Sequence, residues 1–188
     1  DNDNDLIARN QSSYEIVKVE SEKIIRNFYK NHIILRPPLL YGPYVKANFL
    51  SLMKLIDNNI PLPFKNLNNR RSYMYVENLI DAILFIIKKN YFCGKTYSIS
   101  DHQTLSTNKL IKLLAKNLSK QNRLFYIPPA IIKFIFKKIG KVEIFNKIMG
   151  NFVIDNSKFI NDTKWKPPYN NNEGIKKTCF WYKRRFKI

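Results

Sequence analysis

Tyr14 and Lys18 stand four residues apart, so on a helix both side chains project from one face toward the same point. A tyrosine acts as a general base only when its phenolate is stabilised. Its free pKa of about 10 must fall toward about 7 for proton transfer near neutrality, a difference of about 4 kcal/mol. A neighbouring ammonium supplies part of that. The spacing alone carries little weight, because the chain has 11 tyrosines among 33 Lys and Arg, and Tyr91 and Lys95 repeat it across Gly94. A solvated helix start is the competing reading. Arg70 and Arg71 form a second candidate group, since the planar guanidinium fork pairs with phosphate oxygens in bidentate fashion. Their competing reading is a surface pair in a basic chain. His32 and His102 have no ligand partner at useful spacing, and Cys93 and Cys179 fit neither a metal motif nor a disulfide framework, so no metal site and a reducing compartment are expected.

The elements that must position these groups follow from hydrophobic periodicity. Val17, Ile24, Ile25 and Phe28 predict a helix over 14–30, and a short strand follows at 32–35, closed by Arg36, Pro37 and Pro38. A turn at 41–43 leads to a helix over 47–57. Residues 73–76 read as a strand and 77–88 as a helix that is apolar almost all round and therefore expected to be buried. A strand at 97–99 precedes a helix that Ser106 or Thr107 caps and that runs to 118, burying Leu110, Ile111 and Leu114. The remainder is a weak strand at 124–126, helices over 128–139, 143–149, 157–161 and 174–184, and a strand near Phe152. This alternation indicates an α/β protein that becomes more helical toward its C-terminus. Residues 1–13 read as a polar loop or a cut end, and the opening residue is Asp1, so the true N-terminus is expected upstream.

With 188 residues, 45% of them hydrophobic, the chain can bury one sizeable core. Its net charge of +19 would suit a polyanion. The lysines sit singly or in pairs on nearly every predicted helix, so the excess reads first as compositional bias and second as a footprint for nucleic acid or acidic membrane. On the helix over 128–139, Ile131, Phe134 and Ile135 with Lys133, Lys137, Lys138 and Lys141 could lie on an anionic bilayer, but a core-facing helix with a solvated basic side is the commoner arrangement. No apolar run is long enough to span a membrane.

Several short motifs recur in a set order. After Tyr14 and Lys18 come Glu22, then Leu35-Arg36-Pro37-Pro38-Leu39-Leu40-Tyr41-Gly42-Pro43, then Lys46, Asn48 and Phe49. Asn69-Arg70-Arg71-Ser72-Tyr73 and Tyr75-Val76-Glu77-Asn78-Leu79 follow, then Tyr97-Ser98-Ile99-Ser100-Asp101, and finally Trp165-Lys166-Pro167-Pro168, Gly174 and Trp181. This series resembles the second half of the NAD-dependent epimerase and dehydratase family, the extended short-chain dehydrogenases that act on nucleotide sugars. The resemblance runs from Tyr14 to Trp181 and lies in the order of the motifs. It implies that Tyr14 is the catalytic base and that Lys18 holds the nicotinamide ribose and lowers the tyrosine pKa. It implies also that Pro37, Pro38, Leu39 and Leu40 lie beside the nicotinamide, and that Lys46, Asn48, Phe49, Phe64 and Arg71 belong to the substrate-binding set.

The resemblance implies a fold made of the C-terminal part of a doubly wound Rossmann-type domain, residues 1–45 and 73–100, plus a small, mostly helical nucleotide-sugar domain, 46–72 and 101–188. It implies a cytoplasmic 4-epimerase or 4-keto-reductase of surface-polysaccharide synthesis that uses NAD or NADP, acts on a UDP-hexose or UDP-N-acetylhexosamine, and is a homodimer when full length. Pro37, Pro38, Asn69 and Asn78 look most like the branch handling N-acetylated UDP-hexosamines. The chain departs from the family pattern at Glu15-Ile16-Val17, at Leu39 and at Asn78. The chain has five glycines, Gly42, Gly94, Gly140, Gly150 and Gly174, and they cannot build the family's phosphate loop, so the first mononucleotide-binding half is expected to lie outside this sequence. Ser12 and Ser13 are poor substitutes for the substrate-orienting hydroxyl. A non-catalytic, degenerate basic binding module is the alternative reading.

Overall fold

In a computed structural model the described residues are 13–138, 140 and 142–186, and the side chains at 13–15, 143, 144 and 147 lie outside the described set. The expected leading loop, with Ser12, falls outside it as well. The elements are α1 (Ser13–Phe28), β1 (Ile33–Arg36), β2 (Leu39–Tyr41), α2 (Ala47–Asp57), β3 (Tyr73–Tyr75), α3 (Val76–Lys88), β4 (Lys95–Ser98), α4 (Thr107–Leu118), α5 (Pro129–Lys138), α6 (Val142–Met149), α7 (Ser157–Thr163) and α8 (Asn171–Phe186).

Among the described residues both strand pairs are parallel: β1 lies beside β4 with Ile33 opposite Lys95, and β2 lies beside β3 with Leu39 opposite Tyr73. Parallel pairs need helical crossovers, and their faces are covered by those helices. Accordingly all three residues of β3 are buried. Tyr73 and Tyr75 join one apolar cluster, built with α2, α4 and α8, while Met74 between them joins a second cluster with Ala82, Ile86, Tyr97 and Phe159. The period of two along β3 thus divides the core. The segment 157–165, placed by sequence with the second unit, packs against the first sheet: the Phe159 ring lies 5.4 Å from that of Tyr97, and Trp165 donates to Asp81 at 2.7 Å.

Asp101, just past β4, ties the two sheets together. Its buried carboxylate accepts from the Tyr75 backbone N–H at 3.1 Å, from Asn78 at 2.7 Å and from the Tyr41 hydroxyl at 3.1 Å. Burial raises its pKa above the ordinary carboxylate value, and these donors offset part of the cost.

Several expectations change. The segment 39–41 is a strand, hidden in sequence by the prolines before it and the glycine after it. The expected strands near 124–126 and Phe152 shrink to single bridges, Leu62 with Leu124 and Arg71 with Phe152. α3 is not buried all round: Ala82 and Ile86 face the core, while Ile80, Ile83, Leu84 and Ile87 are 42–56% exposed, because no described element covers that side. α8 starts three residues earlier than expected. Asn170 accepts from the N–H groups of Asn172 and Glu173, and the Glu173 carboxylate accepts from the Asn170 N–H, a reciprocal cap.

Gly174 sits where α8 meets the rings of β2 and β3. A Cβ there would lie 2.7 Å from the Tyr41 hydroxyl oxygen and 2.9 Å from Tyr75 Cγ. Tyr75 is fully buried and Tyr41 is held by Asp101, so neither can give way. Overpacking of this kind costs about 1–3 kcal/mol, and the gain in helix propensity returns up to about 1 kcal/mol. Gly174→Ala is therefore expected to lower stability by about 1–2 kcal/mol, read as a lower denaturant midpoint at unchanged slope.

Candidate active site

α1 carries Tyr14 in its first turn and Lys18 one turn later, so the backbone sets the two on one helix face. The Tyr14 side chain lies outside the described residues, and that of Lys18 is exposed. One further turn along the same face, Glu22 receives a two-pronged contact from Arg36 at the end of β1, Nε to Oε1 at 2.7 Å and Nη2 to Oε2 at 2.5 Å. Arg26 adds a bond to Glu22 at 2.9 Å and one to Thr96 of β4 at 3.0 Å. These polar links carry much of the attachment of α1, for Ile25 is half-buried while Ile16, Val17, Val19, Ile24 and Phe28 are 43–77% exposed. The hydrogen bond from Arg36, then its charge, holds Glu22 below its ordinary carboxylate value against the opposing effect of burial. Sequence inspection placed Glu22 in the motif series without a role; the i, i+4 spacing after Lys18 is the signal for one.

From Arg36 the chain passes into Pro37 and Pro38, the first half-buried and the second buried, and then into Leu39 and Leu40, which are 42% and 39% exposed. This run leaves the carboxyl ends of the parallel β1 and β4, the side on which open parallel sheets take ligands. Because β2 and β3 are parallel from Leu39 and Tyr73 onward, the run and Arg71 enter the small sheet from the same end. Arg71 is half-buried. Its guanidinium donates to the Gly150 carbonyl at 3.1 Å and lies 6.0 Å from the centre of the Phe152 ring. Burial raises the Tyr73 phenol, and the charge of Arg71 beside it acts the other way. Arg70 is exposed and borders a polar recess of about 420 Å³ at the end of β4 with Ser72, Ser100, Asp101 and His102.

Lys46 and Asn48 stand exposed at the head of α2. No side chain caps this helix, and Ala47 begins it with φ at 51°, after Tyr44 at 65°. Two non-glycine residues in the left-handed region mark strain, and an uncapped helix start presents N–H donors to an anion. Phe49 lies in the core, its ring stacked 5.5 Å from that of Tyr41. Phe64 is half-buried, and its carbonyl accepts from Asn108. A cavity of about 820 Å³ between α8 and the turn at Tyr44 touches none of the sequence-predicted site residues. No group of His, Cys, Asp and Glu that could hold a metal occurs among the described residues.

Parallel strand pairs covered by helices, with α1 tied through Glu22 to the end of β1, define a Rossmann-type α/β fold. The sequence profile of the NAD dependent epimerase/dehydratase family matches residues 1–100, and the chain belongs to this family. It is 34% identical over 174 residues to a UDP-glucose 4-epimerase of Vibrio cholerae, covering 90% of this chain and 53% of that protein. It is 23% identical over 117 residues to the N-acetyl-alpha-D-glucosaminyl-diphospho-ditrans,octacis-undecaprenol 4-epimerase of Escherichia coli, covering 59% of this chain and 35% of that protein. Among solved structures, a UDP-glucuronic acid 4-epimerase of Bacillus cereus in complex with NAD superposes with a TM-score of 0.69 at 20% identity, over 94% of this chain and 54% of that one. A UDP-glucose 4-epimerase of Thermotoga maritima with UDP-glucose gives 0.66 at 19% identity, over 93% and 54%. The chain thus spans about half the length of the relatives it matches.

The attachment of α1 predicts its own weakness. Glu22→Gln removes the ionic part of the link and is expected to speed amide exchange along α1 while leaving β3 and α4 protected. Because Glu22 is depressed in the folded chain, its contribution is present above about pH 4.3 and lost as pH falls through the lower folded value. The variant should therefore lose that part of the acid dependence, which a series of exchange measurements across acidic pH detects.

Proposed function

We propose that this chain is the part of a nucleotide-sugar 4-epimerase or 4-keto-reductase that bears the catalytic base and most of the sugar-nucleotide site, working with NAD(P) in surface-polysaccharide synthesis. One observation carries this reading: Glu22 and Arg36 fix the helix of Tyr14 and Lys18 to the strand that runs into Pro37–Leu40. In this reading Tyr14 exchanges a proton with the C4 hydroxyl of the sugar. Lys18, one turn on, favours the phenolate through its ammonium charge. Residues 1–45 and 73–100 form the nicotinamide side, and 46–72 with 101–188 the sugar-nucleotide side.

The substrate class follows from what the relatives' names share. One acts on UDP-glucose and another on a hexosamine borne on a diphospho-undecaprenol, so each handles a hexose joined to a diphosphate. An uncapped α2 start with Lys46 and Asn48 beside it suits such an anion. Arg71 adds a planar fork whose position its bond to Gly150 holds.

Bound NAD(P) supplies hydride exchange with the sugar carbon. The residues present fit its nicotinamide end: Leu39 and Leu40 offer exposed apolar surface at the ligand side of β1, and Lys18 offers a cation near by. They do not fit its pyrophosphate. Gly42, the glycine that follows a strand and precedes a helix, is closed by Val76, whose Cγ1 would lie 2.3 Å from an added Cβ.

The test is turnover of a UDP-hexose or UDP-N-acetylhexosamine by the full-length protein with NAD(P). Tyr14→Phe is expected to lower kcat by on the order of 10²- to 10⁴-fold with little change in KM. Lys18→Met should shift the limb of the pH–rate profile that reports the phenol toward alkaline pH. Undiminished turnover by Tyr14→Phe would remove the assignment.

A further inference from the structure

α5 is apolar on more of its circumference than the described residues cover. Ile132 is buried, and the Phe136 ring packs 6.0 Å from that of Phe145 on α6. Ile131, Phe134 and Ile135, at i, i+3 and i+4, share a different face and are 49%, 59% and 49% exposed. The sequence expectation of a core-facing helix with a solvated basic side therefore holds for only part of this helix. The Phe125 and Tyr126 side chains, just before it in the chain, are also exposed.

The charge carried by α5 itself has one sign. Lys133, Lys137 and Lys138 are exposed on α5, which carries no acidic residue, and the Lys138 ammonium lies 5.3 Å from the centre of the Phe134 ring. From residue 102 to 142 the sequence holds nine Lys and Arg and no Asp or Glu. The sequence from 102 to 142 thus carries no compensating carboxylate, the next along the chain being Glu143 on α6.

We propose that α5 seats the protein on an anionic bilayer surface, with Ile131, Phe134 and Ile135 entering the boundary between headgroups and acyl chains and the lysines meeting lipid phosphates. No described helix is long and apolar enough to cross a membrane, and the proposed contact is with one surface. A helix with an apolar stripe and lysines as its charged residues has the pattern of an in-plane anchor, in which the long lysine stems bring their ammonium groups up to the headgroup level. Nucleic acid is the other polyanion that the charge suits, but phosphate neutralisation makes no use of exposed Ile and Phe. α5 moreover has lysines and no arginine. The stripe shares no residue with the candidate active site, so the proposal stands whichever sugar nucleotide is used.

Cosedimentation of the full-length protein with vesicles tests this. Binding is expected to mixed phosphatidylcholine and phosphatidylglycerol vesicles, to weaken with added salt, and to be about tenfold or more weaker on phosphatidylcholine alone. Ile131→Ser with Phe134→Ser should reduce partitioning on the order of tenfold or more. Lys133→Gln with Lys137→Gln should reduce it by about fivefold per lysine. Both double variants change exposed side chains and should keep the wild-type circular dichroism and turnover. The proposal is overturned if the mixed vesicles bind no protein or if both variants bind as the wild type does. It is overturned equally if Ile131→Ser with Phe134→Ser converts a lipid-free dimer to monomer, which would make a second copy the cover. Unaltered vesicle binding by that variant, abolished by competing nucleic acid, would reduce the contact to general polyanion attraction.

Discussion

A buried carboxylate with no cationic partner among the described residues holds this fold together. Asp101 receives hydrogen bonds from β3, from α3 and from the tyrosine that ends β2, although it follows β4 in the other sheet. Placing such a group in the interior is costly unless its lone pairs are satisfied, and here they fix the mutual placement of elements far apart in sequence. The Asp101 N–H donates in turn to the Tyr73 carbonyl. The joint thus sits against β3, the strand whose two faces serve the two halves of the core. Asp101 also borders the polar recess beside Arg70, which gives the joint a place on the ligand side.

The regions flanking the joint are built differently. Toward α2, α4 and α8 the packing is dense and aromatic, with Phe49, Tyr73 and Tyr75 all set against the Tyr41 ring. Toward α1 the contacts are polar and few. Substrate-binding groups proposed at the head of α2 and at Arg71, just before β3, therefore rest on a stiff base, whereas the helix of the proposed catalytic pair is positioned by directional bonds. Two-pronged guanidinium–carboxylate geometry suits that task, because it fixes orientation as well as distance.

The sequence showed the helices well wherever a cap and a periodic face coincided. Ser106 caps α4 as expected, its side chain accepting from the Lys109 N–H, and Leu110, Ile111 and Leu114 are buried. The order of the family motifs was legible too, because each lies at the end of an element where loops lead to a site. Less legible was anything set by long-range cover. Leu39–Tyr41 has too few residues to show a strand period, and its pairing with Tyr73–Tyr75 is what makes it one. An all-round apolar pattern on α3 could not tell which side would find a neighbour, and α5 posed the same question. Phe49 stands beside Asn48 in sequence, but the helix turns its ring into the core and leaves the asparagine outside. Asp101 was visible as part of a motif, yet its bonding partners lie 23 to 60 residues away, a distance that local pattern does not report.

The docking of α8 has a consequence for how the protein is made. Its Gly174 abuts Tyr41 and Tyr75, and the Tyr41 hydroxyl reaches Asn171 across 130 residues of sequence. On a ribosome adding about 5–20 residues per second, such contacts must wait for the late helix. Until α8 emerges, the aromatic face of the β2–β3 pair has no lid. The strands are therefore synthesised early and completed late, and during that interval their tyrosines are the surface on which a nascent chain would need shelter.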